Sequence, residues 1–223
     1  MQSQTATQLN CPSIGAADMI VFGPNLSLRG VRMHFERNEE IFGEDEPAEY
    51  VYLVASGAVR TMHFTSEGRR QILGFHLPGD IFGLEFGERH MLSAEALCGA
   101  EIVMVRRASL DRAVNEDMAA AHTLLKLTAE QLNSARAHAL VLARKGASER
   151  VAAFLLQLAD RCVTKRELDL PMSRSDIADY LGLTIETVSR AFSEFERQSA
   201  IGLPSSRHVV MRNPSALMQY EAA

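Results

Sequence analysis

Within IETVSRAFSEF, four polar residues, Glu186, Ser189, Arg190 and Ser193, stand three and four positions apart. On a helix that spacing puts them on one face. Their chemistry suits the edges of DNA bases. An arginine fork donates to guanine O6 and N7, a carboxylate accepts from cytosine N4, and a serine hydroxyl bonds a base edge or a phosphate. The same four residues would also make an ordinary solvated face, so the elements around them must decide. Val188, Ala191, Phe192 and Phe195 fill the opposite side at helical spacing and predict a buried face.

Upstream, SRSDIADYLGL predicts a shorter helix joined to this one by a tight corner. Ser173 and Asp176 have capping-box spacing, in its Ser-x-x-Asp form. Ile177, Ala178 and Leu181 form an inward face, and the small Ala178 allows close helix approach. Gly182 inside a helix would cost about 1 kcal/mol relative to alanine. Placed one step past a helix end, in a left-handed conformation, it ends the helix instead. Leu183 fills the corner and Thr184 caps the next helix at Ile185. Two short helices with a glycine-containing turn make a helix-turn-helix. Downstream, Ile201–Leu203 and His208–Met211 predict a hairpin, a wing, with Arg207, His208 and Arg212 near phosphate height. The expected DNA contacts are therefore Glu186, Ser189 and Arg190, with Thr184, Thr187, Ser193, Ser173, Arg174 and Arg207 around them.

Ahead of this segment the chain changes period twice. Residues 20–107 read as short strands with glycine and proline punctuation, including 51–64 broken at Ser56-Gly57, 69–83 and 100–105. That pattern indicates a small all-β barrel or roll. From Leu110 to about Lys145 there is no Pro and no Gly. A heptad through Met118, Leu125, Leu132 and Ala139, with Ala121, Thr128, Ala135 and Leu142 on the second seam, predicts a long helix paired with a second copy. About 30 residues of helix span about 45 Å, longer than a small barrel needs. Gly146 ends that helix as a hinge, and Ser148 caps a second amphipathic helix over 148–162. The expected organisation is a flexible tail over 1–19, a β-roll over 20–107, a dimerisation helix over 108–146 and a winged helix-turn-helix domain over 147–223.

Composition limits the alternatives. The net charge is −5, with 14 Lys+Arg against 18 Asp+Glu up to Gly146 and 9 against 10 after it. Neither half is basic, so nucleic acid must be gripped through a small face. The amino terminus lacks a basic start and an apolar core, no apolar run approaches a membrane span of about 20 residues, and a cytoplasmic protein is expected. The three cysteines, Cys11, Cys98 and Cys162, are scattered and read as free thiols. No nucleophile elbow, metal-ligand cluster or phosphate loop is present, so the chain does not read as an enzyme.

SRSDIADYLGLTIETVSRAFSEFE resembles the DNA-binding segment of the CRP/FNR family of bacterial transcription regulators, and its E-T-V-S-R run is similar to the FNR and FixK branches. The PGDIFG turn (78–83), the long helix and the winged helix-turn-helix follow in the family's order, so the resemblance covers nearly the whole chain. It implies an α+β architecture in which the first domain is a cyclic-nucleotide-binding-like jelly roll. By resemblance, Glu186, Ser189 and Arg190 read a TTGA…TCAA-type palindrome in double-stranded DNA. RNA polymerase is the second implied partner, through the loop Glu85-Phe86-Gly87-Glu88, with Glu85 and Glu88 as contacts. Two departures narrow the branch. Leu84 stands where cyclic-nucleotide binders carry a ribose-holding Glu, and His90 and Met91 replace their phosphate-holding Arg-Ser pair. Too few cysteines remain for an iron–sulfur cluster. No cofactor is expected, and the FixK-like branch, tied to microaerobic respiration or nitrogen fixation, is the match. The competing expectation is a regulatory subunit of the same fold that responds to a small molecule or haem.

Overall fold

The computed structural model of the protein describes residues 18–85, 87–161 and 166–222. Residues 1–17 of the tail expected over 1–19, with Cys11, and also Cys162 and Phe86, lie outside the described residues. The described chain forms two compact units that divide between Arg136 and Ala137.

The first unit begins with a ribbon of β1 (Met19–Gly23) and β2 (Leu26–Arg29). Next come β3 (Val31–Phe35), β4 (Glu40–Phe42), β5 (Tyr50–Ser56), β6 (Val59–Phe64), β7 (Arg70–His76), β8 (Ile81–Phe82), β9 (Ser93–Ala96) and β10 (Ala100–Arg106). They pair antiparallel into two four-stranded sheets, ordered β3-β10-β5-β8 and β4-β9-β6-β7. Successive side chains point to opposite faces of a strand. Val54 and Ile102 therefore meet Val59, Ala94 and Ala96 between the sheets, with Phe35, Phe42, Tyr52 and Phe82 closing that core. Gly57 turns β5 into β6 with φ +81°, and a Cβ there would stand 2.5 Å from the Gly99 carbonyl oxygen. Only glycine fits both demands.

Helix α1 (Arg107–Glu116) and helix α2 (Met118–Arg144) follow. The single long helix expected from Leu110 onward is broken at Asp117, whose backbone is extended at φ −134° and ψ 116°. Its carboxylate accepts from the Ala119 N–H at 2.9 Å and so caps α2. Leu110 and Ala120, with the half-buried Leu124 and Leu127, seal a second core over Ile20, Val51 and Val105.

The second unit contains the end of α2 together with α3 (Ala147–Arg161), β11 (Glu167–Asp169), α4 (Arg174–Leu181), α5 (Ile185–Arg197), β12 (Ile201–Gly202), β13 (His208–Met211) and α6 (Pro214–Ala222). Gly146, not Ser148, stands at the cap of α3. Its carbonyl accepts from the Arg150 N–H at 2.9 Å, and its own N–H donates to Glu149 Oε2 at 3.0 Å. Ser148 lies inside the first turn because that reciprocal pair places the cap two residues earlier than expected. The wing gains a third strand, giving the order β11-β13-β12. Helix α3 packs against both α5 and α6. Its buried Val151, Leu155 and Leu158 share an apolar interior with Ile177, Leu181, Phe192, Phe195 and Leu217.

Candidate nucleic-acid interface

The helix-turn-helix forms as its residues dictate. Ser173 caps α4 with a complete box: its hydroxyl accepts from the Asp176 N–H at 3.1 Å, and the Ser173 N–H donates back to Asp176 Oδ2 at 2.9 Å. Gly182 sits at φ 63° and ψ 41°, the left-handed conformation that closes a helix without a Cβ penalty. The Gly182 and Leu183 N–H groups both donate to the Ala178 carbonyl, the latter at 3.0 Å. Thr184 then caps α5, its hydroxyl accepting from the Thr187 N–H at 3.2 Å. This sharp stop and fresh start set the angle of α5.

Val188, Ala191, Phe192 and Phe195 are buried, as their spacing demands. Each buried phenylalanine stabilises the packing by roughly 1.5–3 kcal/mol. Glu186, Ser189, Arg190 and Ser193 are all exposed. None of the four is hydrogen-bonded to another described side chain, so the face they share is uncommitted. Thr184 is also exposed and Thr187 half-buried, the two tied by a 3.0 Å hydroxyl–hydroxyl hydrogen bond. One residue was missed by reasoning from polar chemistry alone. Ile185 is 44% exposed at the first turn of α5, where an aliphatic group suits a thymine methyl. Its signal was present as an apolar residue off the inward stripe.

Two other expected contacts sit differently from the open face. The Arg174 guanidinium lies 3.1 Å above the Phe192 ring centre, and its Nη1 is sealed from solvent with no hydrogen-bond acceptor among the described residues. Burial lowers its pKa to about 10. To reach a phosphate it must leave the ring. Arg207 is exposed, but its Nη1 donates to the Pro171 carbonyl at 3.3 Å, holding the wing against the start of α4.

The long helix has its stripe uncovered. Met118 is 85% exposed, Leu125 67% and Leu132 49%. Thr128, Ala135 and Ala139 are exposed as well, with Ala121 and Leu142 half-buried. The Thr128 hydroxyl donates to the Leu124 carbonyl at 3.0 Å, which satisfies it within the helix.

In the roll, the two positions that replace the phosphate-holding pair part ways, His90 facing inward and Met91 outward. His90 is 2% exposed and lies flat against Phe42, with ring centres 3.6 Å apart at 13°. Its Nδ1 is 3.4 Å from Glu85 Oε2, close enough for attraction but without hydrogen-bond geometry. Glu85 is thus a correction to the exposed loop expected over 85–88. Its side chain is only 18% exposed, beside His90 and Arg107. The cause is Arg107, which donates to the carbonyls of Gly83, Glu85 and Gly87 and draws the loop inward. Glu88 remains exposed, as does Met91. Cys98 is half-buried and free. A cavity of about 620 Å³ opens beside this loop, rimmed by Glu49, Glu88 and Asp111 over Val51, Leu110 and Leu124. Among the described residues no group of three or more potential metal ligands occurs, and no helix is long and apolar enough to cross a membrane.

This architecture has close relatives. Residues 149–220 match the family model for the Crp-like helix-turn-helix domain, and residues 32–117 match that for the cyclic nucleotide-binding domain. The nitrogen fixation regulation protein FixK of Azorhizobium caulinodans is 49% identical over 193 residues, covering 84% of this chain and 78% of the relative. The chain belongs to the CRP/FNR family, as a FixK-like member. The FixK of Rhizobium meliloti is 40% identical over 183 residues, covering 82% of this chain and 83% of its own length. The solved structure of FixK2 from Bradyrhizobium japonicum matches with a TM-score of 0.85 and 49% identity, covering 88% of this chain and 99% of that one. This FixK-like chain is therefore a DNA-binding transcription regulator and not an enzyme.

Proposed function

We propose that this FixK-like protein acts in the cytoplasm as a homodimer that reads a TTGA…TCAA-type palindrome and recruits RNA polymerase as an activator. The carrying observation is the outer face of α5, where Glu186, Ser189, Arg190 and Ser193 stand exposed and uncommitted above a fully buried apolar face. Ser189 and Arg190 take base edges, Glu186 accepts from cytosine, and Ile185 meets a thymine methyl. Thr184, Thr187 and Ser173 contact the backbone, with Arg207 from the wing and Arg174 once it leaves Phe192. Phosphate contacts position the protein and base contacts give sequence choice.

The uncovered stripe through Met118, Leu125 and Leu132 supports pairing along α2, because exposed leucines at heptad spacing lose water only against a second copy. A two-fold dimer presents two reading helices about one DNA turn apart. Activity without a cyclic nucleotide is supported by His90, since a buried imidazole stacked on Phe42 lacks the forked donors with which an arginine holds a phosphate. Glu88 remains the polymerase-facing candidate of its loop. Control of nitrogen fixation or microaerobic respiration is the target class implied by the family, and the FixK relatives carry nitrogen fixation in their names.

Fluorescence anisotropy with a TTGA…TCAA duplex at fixed salt tests this reading, with and without cAMP. Arg190→Ala is expected to weaken binding by about 1–3 kcal/mol and to relax preference at one base pair of each half-site. Equal binding by wild type and variant, or binding only when cAMP is present, would overturn it.

A further inference from the structure

Arg150 occupies the first turn of α3, yet its side chain serves two other helices. Its Nε donates to the Lys145 carbonyl, just past the end of α2, at 2.9 Å. Its Nη1 donates to the Leu181 carbonyl, the last residue of α4, at 3.0 Å. The final carbonyls of a helix have no partner within it, and a cation there is favoured by the helix dipole. A planar guanidinium with fixed N–H directions can hold one such carbonyl from each of two helices at a set geometry; an ammonium cannot.

A second contact ties the same two helices. The His138 ring, on α2, stacks on the Tyr180 ring, on α4, with centres 4.1 Å apart at 14°. Tyr180 in turn meets the edge of Phe154 on α3, at 5.9 Å and 61°. All of these residues belong to one compact unit. The segment of α2 so held carries Ala139 and Leu142, the last positions of the stripe. Leu181 is followed directly by Gly182 and the start of α5. The end of the stripe and the reading helix are therefore joined through the Arg150 hydrogen bonds and the His138–Tyr180 stack, beside the buried Phe154 of α3.

We infer that Arg150, supported by His138, is a positioning residue that fixes α5 relative to the end of the paired helix and so sets the half-site spacing the dimer accepts. This rests on the dimeric DNA reading proposed above. A residue that only stabilised the fold would weaken binding to all duplexes alike. A positioning residue alters the preference among spacings.

The test compares wild type with Arg150→Met, Arg150→Lys and His138→Ala in the full chain. Affinity is measured for palindromes with the preferred spacer and with one base pair added or removed, and amide hydrogen exchange is followed in the free proteins. Wild type is expected to favour one spacer by about tenfold or more, because one base pair rotates a half-site out of register. Arg150→Met is expected to narrow that ratio to about threefold while keeping its base preference within each half-site, with Arg150→Lys in between. In free protein, exchange over 137–145 and 181–184 should accelerate about tenfold in Arg150→Met while β13 is unchanged. An unchanged spacing ratio in Arg150→Met, whatever its affinity, overturns the inference. If wild type binds none of the duplexes, the DNA reading itself fails. The exchange arm then judges the joint alone, and unchanged exchange at both segments overturns it.

Discussion

The interior of the roll and the outer face of α5 treat polar side chains in opposite ways. In the roll, His90 is folded flat on Phe42 and Glu85 is drawn in beside it, so both have joined the packing. On α5, Glu186, Ser189 and Arg190 are kept clear of their own protein. Both regions derive from strongly patterned sequence, and both have tight aromatic cores. What separates them is whether polar groups are buried against their own protein or left open to solvent. Function in this chain is readable where they are open.

Large truncations sharpen the contrast most. Phe42→Ala and Phe192→Ala are each expected to destabilise their unit by about 3–5 kcal/mol, through lost burial and a residual cavity. Denaturant unfolding checks the cost, and anisotropy at low temperature checks the consequence. Folded Phe42→Ala protein should retain base preference. Phe192→Ala should lose it, because the ring supports both the reading helix and the Arg174 guanidinium. Matching losses of DNA preference in the two variants would erase the distinction between the regions.

A smaller change tests the corner. Gly182→Val forces a β-branched residue into a left-handed backbone, at a cost of about 1–3 kcal/mol. Thermal melting should fall and α5 should lose its set angle, so affinity drops further than stability alone explains. The smallest expected effect is a pH dependence. Burial against Tyr180 holds His138 below its ordinary value of 6.5, with a hydrogen bond to the Tyr180 backbone opposing it. The unfolded chain then takes up a proton more readily than the folded one. The increment is fully present above pH 6.5 and is lost as pH falls through the lower folded value. His138→Phe should remove this increment from melting curves collected between pH 5 and 8, a range set by histidine chemistry.

Most of the site was legible because its signals are local. The Ser173 box, the Gly182 corner, the Thr184 cap and the inward face of α5 each depend on residues within seven positions of one another. The features that escaped depend on distant partners or on single hydrogen bonds. Strand β11 has only three residues and exists because it pairs with β13. The break at Asp117 interrupts a run that has no Gly or Pro, and one carboxylate–amide bond decides it. Glu85 turned inward because Arg107, more than twenty residues away, collects the carbonyls of its loop. Helix α6 was not anticipated, although its start carries a local signal: Pro214 at its first position follows Asn213, whose side-chain oxygen accepts from the Ala216 N–H at 3.3 Å.

The interruption at Asp117 also acts as a reset of rotational phase. A continuous helix from Arg107 would carry its angular count from the roll into the stripe, so every inserted or deleted residue in α1 would rotate Met118, Leu125 and Leu132 by about 100°. With the count restarted at a cap, the stripe takes its zero from one aspartate. A change of length in the roll's helix would then leave the phase of the stripe where the cap sets it.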